Sequence, residues 1–429
     1  MKKTLLLILA LCITAGAHGQ ESGKQDADRK IKKGWNFGPL PAVSYNSDLG
    51  FQYGALCDIF YYGDGSTFPH YMHKFNVEIS QYTKGAGTFH LFYDSKYLIR
   101  NTRLTFAATY MPNKMSNFYG FNGLASPYDM DLADENPAFY SMDRKMLRIL
   151  ADFQGNITNN LGWAAGVSFW NYNTGHVGLD KYKDNETLYD IYVGNGIIRP
   201  EEKNGGSQLE LKAGLVYDTR DHEAAPSKGI WAEAVLYGSP DVIERNDNAY
   251  MKLSAQFRQY ITLIENRLTF AYRLAYQGTL AGNAPFYMQP NIATLYLRQI
   301  RSEGLGGLNT VRGVLLSRMV GDGYVWGNFE LRIRLFDFRL FGQHWYAALN
   351  PFFDMGMIVQ PYRLDQMEAM AGSQAPLVYS GQKEKLHMSA GIGVKVVMNR
   401  NFIVSCEWGK PFNSQDGKSG MNIGLNYIF

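Results

Sequence analysis

The sequence has 429 residues and a formal net charge of +3, with 42 lysines and arginines against 39 aspartates and glutamates. This near-neutral balance excludes the strongly basic surface with which proteins bind nucleic acid. Hydrophobic residues make up 46% of the chain, but beyond the N-terminus no run of about 18 apolar residues occurs, which excludes membrane-spanning helices.

The N-terminus predicts secretion. A basic start at residues 1–3 is followed by the mainly apolar residues 4–14, which are too few to span a bilayer, and then by small residues at 15–17 and 19. This combination is typical of a secretory signal peptide, which we place at residues 1–19. Residues 20–34 are polar and charged, and we interpret them as a periplasmic lead-in.

From residue 35 onward, apolar and polar side chains alternate in runs separated by Gly, Asn, Asp and Pro. A clear run is 207–219, with apolar residues at odd positions from Leu209 to Tyr217. A period of two predicts strands with one apolar and one polar face. We predict sixteen such strands, at 39–46, 49–62, 72–83, 86–98, 101–112, 138–154, 161–173, 207–219, 228–240, 247–262, 266–280, 322–336, 344–359, 385–398, 401–411 and 419–429.

The last nine residues, 421–429, continue the alternation up to an aromatic end, with Tyr427 and Phe429 on the apolar face. A strand of this kind at the C-terminus is protected if it pairs with the first strand in a closed barrel, whose outer face contacts lipid. Aromatic residues at 14%, including 29 tyrosines, suit the girdles at the two membrane interfaces. The sequence therefore predicts an all-β fold, a transmembrane antiparallel barrel over residues 35–429 in the bacterial outer membrane.

An even number of strands places both ends of the barrel on the periplasmic side. The long connections at 113–137, 174–206, 281–321 and 360–384 then face outward. Long outer loops and short inner turns are the expected asymmetry of such barrels. No segment shows sustained helical periodicity.

Three groups of segments carry a resemblance to a known family. They are Gly214–Asp221 with 226–229; Gly306–Val314, which reads Gly-Gly-Leu-Asn-Thr-Val-Arg-Gly-Val; and 329–332 with 352–356, 391–394 and Phe429. In this order and spacing they resemble the BamA/TamA superfamily of outer-membrane proteins, also called the bacterial surface antigen family. The resemblance implies sixteen strands and a long extracellular loop, before the twelfth strand, that folds into the lumen. The terminal Tyr427 and Phe429 resemble the signal by which barrel proteins are recognised for assembly.

The alternation also predicts a charged cluster inside the barrel. It places Glu330 of the twelfth strand and Asp354 of the thirteenth in the lumen, where two neighbouring carboxylates need a cation. The resemblance implies that Arg312, between Val311 and Gly313, contacts acidic residues of the wall, and a glycine lets the loop approach closely. Such a cluster can serve only to stabilise the barrel and its loop, or it can act directly in the mechanism.

A second candidate lies at the end of the eighth strand, near the periplasmic rim: Tyr217, Asp218, Arg220 and Asp221. One interpretation is a charged turn whose geometry is set by Pro226 and Gly229. The other is a docking edge for a periplasmic partner.

Members of the family commonly carry periplasmic POTRA domains before the barrel, whereas residues 20–34 leave no room for one. The sequence thus predicts a short member without POTRA domains. Client capture would then need a separate periplasmic protein, the short lead-in or the barrel's own edge. The resemblance implies a lateral gate between the first and last strands. Gly420 and Gly424 would weaken that junction, although glycines also serve ordinary barrel packing.

We expect a protein that assembles, inserts or translocates polypeptide, or lipid, at the outer membrane. The alternative is a passive diffusion pore or a structural surface antigen. No G-x-S-x-G, H-E-x-x-H or P-loop motif occurs, so we expect no enzyme, cofactor or metal site. The expected partners are outer-membrane lipids including lipopolysaccharide, and a periplasmic protein or an unfolded client polypeptide, with no nucleic acid.

Overall fold

The computed structural model describes residues 31–68, 70–295, 304–340, 342–400 and 402–429. The predicted signal peptide at 1–19 and most of the predicted lead-in at 20–34 lie outside the described residues.

Within the described residues, seventeen strands form one antiparallel sheet. The first two, β1 and β2, are halves of one barrel strand, interrupted at residues 42–43. The strands are β1 (Trp35–Pro41), β2 (Ser44–Asn46), β3 (Gly50–Tyr61), β4 (His73–Tyr82), β5 (Gly87–Ile99), β6 (Thr102–Asn117), β7 (Ser141–Asn156), β8 (Leu161–Gly175), β9 (Gly205–Asp218), β10 (Gly229–Ser239), β11 (Tyr250–Ile264), β12 (Leu268–Gly282), β13 (Gly323–Leu340), β14 (Gln343–Gln360), β15 (His387–Met398), β16 (Phe402–Pro411) and β17 (Gly420–Leu425).

Each strand pairs with the next along the chain, and the sheet closes where β17 meets β2. This junction pairs Asn422 with Asn46 and Ile423 with Tyr45. The prediction of a closed antiparallel barrel of sixteen strands is therefore confirmed, and each predicted strand corresponds to an observed one.

Side chains alternate between the two faces of the wall as the period of two predicts. On β13, Glu330 is buried, whereas Leu331 and Leu335 are 38% and 48% exposed. Because the apolar side chains point outward and the polar ones inward, the outer face suits lipid and the interior is polar. No helix in the described ranges is long and apolar enough to cross a membrane.

The outer loops carry short helices that the sequence did not reveal. They are α1 (Met130–Glu135), α2 (Leu188–Gly194), α3 (Leu364–Glu368), α4 (Ala375–Val378) and the 3-10 turns Gly123–Ala125, Asp180–Tyr182, Phe286–Met288 and Ser414–Asp416. Helices of four to seven residues are too short to show a 3.6-residue period. Aromatic side chains from different loops, among them Phe121, Tyr192, Phe286 and Tyr362, pack into a shared apolar core.

The prediction for the last strand is wrong in its final residues. The strand ends at Leu425 instead of continuing to Phe429, and Asn426 takes a φ of +70°. Asparagine adopts this left-handed conformation more readily than most residues, so the chain turns here. Tyr427 and Phe429, predicted on the lipid face, are only 7% and 4% exposed.

Candidate functional site

Residues 304–320 of the long loop before β13 lie against inward-facing side chains of the barrel wall. Val311 is fully buried in an apolar cluster with Leu305, Trp326 and Ile358. Trp326 belongs to β13 and Ile358 to β14. The loop is thus anchored to these two strands by apolar packing on either side of its charged residue.

Arg312 is 1% exposed and joins the two predicted carboxylates. Its Nε donates to Asp354 Oδ2 at 2.7 Å and its Nη2 to Asp354 Oδ1 at 2.8 Å, a bidentate pair. The backbone N–H of Arg312 also donates to Asp354, at 3.0 Å. Nη1 donates to Glu330 Oε1 at 2.6 Å, so the structure brings together all three of these residues.

The cluster extends to four residues that the sequence analysis did not include in it. Glu330 also accepts hydrogen bonds from Arg332 at 3.1 Å and Asn350 at 3.0 Å. Glu407 lies 3.6 Å from Arg312 and accepts a hydrogen bond from Lys395 at 2.6 Å. Three cations, Arg312, Arg332 and Lys395, therefore balance the three carboxylates. Alternation was a usable signal, because Lys395 stands between two valines and Glu407 between Cys406 and Trp408.

Gly313 holds the loop directly against the wall. It has a φ of +87°, which favours glycine, and it packs on the backbone of Gly409 in β16. A Cβ atom at Gly313 would overlap that backbone. Both its conformation and its position therefore require glycine.

The same loop contacts both sides of the seam, by which we mean the junction between β17 and the β1–β2 strand. Gly313 lies beside Gly420 at the start of β17. Three residues further on, the N–H of Leu316 donates to Asp48, in the turn after β2, at 3.4 Å. The loop thus connects β13, β14 and β16 with both sides of the seam.

The rim residues form a turn whose charges are paired locally. Arg220 makes an ion pair with Asp218 at 2.6 Å, while Tyr217 points outward. Asp221 accepts hydrogen bonds from Ser227, from the N–H of Lys228 and from Arg400. Partial burial works to raise the pKa of Asp221, but these hydrogen bonds outweigh it and lower the pKa to about 2.

The seam is short, and the chain beyond it leaves the wall. β17 pairs with β2 at two positions but with β16 at six, from Val404 to Gly409. After Leu425 the tail, residues 426–429, turns inward. The Cζ of Arg332 lies 4.0 Å from the ring centre of Tyr427, and Nη2 of Arg332 donates to the carbonyl oxygen of Phe429 at 2.8 Å.

A cavity of about 380 Å³ lies at this junction. Its lining includes inward-facing residues such as Leu40 and Leu56, and outward-facing ones such as Ile423 and Leu425. Since both faces of the wall contribute, we call this opening between β1 and the tail the gap. It leads from the interior of the barrel toward the lipid.

Comparisons with known proteins agree with this architecture. A family profile described as the Omp85 superfamily domain matches residues 73–429. A search of curated proteins found no match. The structure is similar to BamA from Haemophilus ducreyi lacking POTRA domains 1–3, with a TM-score of 0.59 and 16% identity over 99% of this chain and 78% of that one.

It is also similar to CdiB from Escherichia coli, with a TM-score of 0.58 and 10% identity over 95% of this chain and 67% of that one. At these identities the two structures establish the fold alone, while the profile match covers most of the chain. The resemblance drawn from the sequence is confirmed: this chain belongs to the Omp85 superfamily and is a β-barrel protein of the bacterial outer membrane.

Proposed function

We propose that this protein inserts or translocates polypeptide at the outer membrane, and that the polypeptide leaves the barrel sideways through the seam. The proposal involves no enzymatic step. Its client is an unfolded polypeptide delivered by a periplasmic protein, and lipids including lipopolysaccharide surround the barrel.

The observation that carries the proposal is the short pairing at the seam. Only Asn46 with Asn422 and Tyr45 with Ile423 are paired there, so opening the wall breaks few backbone hydrogen bonds. At the outer end, the loops pack on one another: Asn122 bonds to Tyr362, and Arg318 donates to the carbonyls of Gly123 and Ser126 at 3.0 Å. The seam therefore offers an easier exit than the covered outer mouth.

In this proposal, the Arg312 cluster keeps the rest of the barrel rigid while the seam opens. It ties β13, β14 and β16 to one loop through Glu330, Asp354 and Glu407. The role is a positioning one, because Arg312 is buried among wall residues and has no free face toward a client. For the rim turn we favour the structural interpretation over a docking edge, because the carboxylate of Asp221 is already occupied by donors of its own turn and Arg400.

A disulfide across the seam tests the proposal. Asn46 and Asn422 face each other directly, and the neighbouring Ser47 N–H donates to Met421. They are therefore a non-hydrogen-bonded pair, whose Cα atoms approach closely enough for a disulfide. The test variant is Asn46→Cys/Asn422→Cys, in a background where the native Cys57 and Cys406 are replaced by alanine.

We expect the oxidised variant to lower the levels of other outer-membrane proteins in cells that depend on it, and reduction to restore them. The matched control is Ala108→Cys/Ile149→Cys, a non-hydrogen-bonded pair that joins β6 and β7, two strands paired over a long stretch. If the locked seam leaves client levels unchanged while deletion of residues 304–320 creates ion conductance, the protein is a diffusion pore and the proposal fails.

A further inference from the structure

We infer that the gap between β1 and the tail binds a membrane phospholipid with an anionic headgroup, whose acyl chain enters through the wall and whose phosphate reaches Arg258 and Arg273 inside. This inference goes beyond polypeptide transport and does not depend on it.

The edge of β1 that borders the gap is poorly suited to a polypeptide strand. Gly34 and Ala42 direct their N–H groups toward the β3 side, to Gly63 at 2.8 Å and to Gly54 at 3.0 Å. Even-numbered residues of β1 therefore bond to β3, and odd-numbered ones turn their backbone groups toward the gap. The four odd-numbered residues of this strand are Trp35, Phe37, Pro39 and Pro41, so two of the four are prolines.

Proline has no N–H, so this edge offers no donor at residues 39 and 41. A strand added alongside would leave carbonyl groups without partners, which is unfavourable in lipid because no water is present to replace them. An acyl chain requires no hydrogen bonds and loses nothing at such an edge. The backbone chemistry of the gap thus favours a hydrocarbon chain over a peptide.

The side chains around the gap are apolar where a lipid tail would pass. Leu40 and Leu56 line it from the inner face, and Ile423, Leu425 and Ile428 line it from the last strand and the tail. Leu425 is half exposed at the outer surface. These residues provide apolar contacts on both the lipid-facing and the inner side of the cavity.

Inside the barrel, the same cavity is lined by two arginines that face each other. Arg258 on β11 and Arg273 on β12 are directly paired across the strands and are 2% and 6% exposed. Like charges in this arrangement destabilise a sheet unless an anion lies between or beside them. Two buried guanidinium groups on one cavity are therefore a strong signal for an anionic ligand.

The carboxylates of the described residues satisfy this pair only in part. Arg258 Nη2 lies 3.2 Å from Glu233, but no acceptor among the described residues bonds to its Nε or Nη1. Arg273 donates to neutral groups, Asn328 and the carbonyl of Asn309. Glu78 also lines the cavity, but it accepts hydrogen bonds from Gln52 and Ser80. A phosphate would provide acceptors for Nε and Nη1 of Arg258, and its charge would be attracted by both arginines.

The experiment uses the purified full-length protein in vesicles that contain a diazirine in the phospholipid acyl chain. One vesicle preparation is phosphatidylglycerol and the other phosphatidylcholine, and cross-linked residues are identified by mass spectrometry. We expect outward-facing residues to be labelled in both lipids. The inward-facing Leu40 and Leu56 should also be labelled, and more strongly by phosphatidylglycerol.

Two variants test the two halves of the site. Ala42→Trp fills the gap and should abolish labelling of Leu40 and Leu56, whereas Ala107→Trp, an inward position on β6 outside the cavity, should leave it intact. Arg273→Gln removes one of the two facing charges, so it should fold, and it should reduce phosphatidylglycerol labelling to the phosphatidylcholine level. Heat-modifiable migration on gels verifies that each variant is folded.

Labelling confined to outward-facing residues in both lipids would overturn the inference. So would equal inner labelling by the two lipids, or inner labelling that survives Ala42→Trp. Protection of Leu40 by an added peptide with an aromatic C-terminus, without any lipid adduct, would identify a peptide site instead. Because no client is present, this result is independent of the seam-locking experiment, and either proposal can fail alone.

Discussion

Replacing Arg312 with alanine is the most direct test of how the loop is held. The substitution removes the only side-chain donor that the described residues provide to Asp354, and it changes the cluster from three cations and three carboxylates to an excess of one negative charge. Asp354 is fully buried, so its charge cannot be compensated by water. Breaking a buried ion pair by removing one partner costs about 3–5 kcal/mol.

This cost corresponds to about two to four orders of magnitude in the folding equilibrium, at about 1.4 kcal/mol per factor of ten. Urea unfolding in detergent micelles, followed by heat-modifiable migration, should show a clearly lower midpoint for Arg312→Ala. The double variant Arg312→Ala/Asp354→Asn should recover part of the loss, because it removes the stranded charge. The control Arg267→Ala, on an exposed turn, should change the free energy of unfolding little.

An unchanged midpoint in Arg312→Ala would show that the buried cluster does not stabilise the barrel, and so would a double variant that is no more stable than the single one. A double variant that is folded but no longer supports assembly of other outer-membrane proteins would separate a mechanistic role of Arg312 from its structural one.

Gly313→Ala should release the loop tip, because a left-handed conformation costs a residue with a Cβ about 1–2 kcal/mol and the new Cβ would also overlap Gly409. The measurement is protease cleavage within residues 304–320. Full protection of this segment in the variant would contradict the prediction. The pKa of Asp221 lies at about 2, below its ordinary 3.8, so its stabilising effect is complete above about pH 4 and disappears as the pH falls toward 2. Hydrogen-exchange protection factors in the turn 219–228, which are corrected for the intrinsic pH dependence of amide exchange, should therefore fall over that range in the wild type, whereas those of Asp221→Asn should change little. Arg318→Ala leaves three loop carbonyls without their donor, and each lost charged hydrogen bond costs about 1.5–3 kcal/mol. Proteases added to intact cells should then cut the outer loops while the barrel stays folded. Uncut loops would show that Arg318 does not hold the outer loops together.

The strands were predictable because a barrel wall imposes the same rule on every residue. Each position faces either lipid or the polar interior, so a period of two persists from β3 to β17. The same rule predicts Glu330 and Asp354 inside, where the structure has them buried, and it extends to Lys395 and Glu407, which also stand among apolar neighbours. The order in which these residues meet depends on strand register, which alternation alone does not specify.

The outer loops were less predictable because their stability comes from one another. α2 buries Leu188 and Tyr192 against Phe118 and Phe121 of another loop, and none of these segments has enough residues for a helical pattern of its own. Tertiary packing, not local propensity, stabilises such short helices. A sequence pattern that is assessed one segment at a time therefore misses them.

The seam has fewer backbone hydrogen bonds than the rest of the wall, and individual residues predict this whereas the alternation of side chains does not. Period-two patterning describes where side chains point, whereas closure depends on backbone donors and acceptors. Pro39 and Pro41 remove donors from one side of the seam, and Asn426 turns the other side away from it. Prolines within sheets are confined to edges and bulges, so their presence in the first strand indicates an edge that remains chemically open inside a closed barrel. A weak seam is thus encoded by three residues, and restoring donors with Pro39→Val/Pro41→Val should lengthen the pairing and make the barrel harder to open.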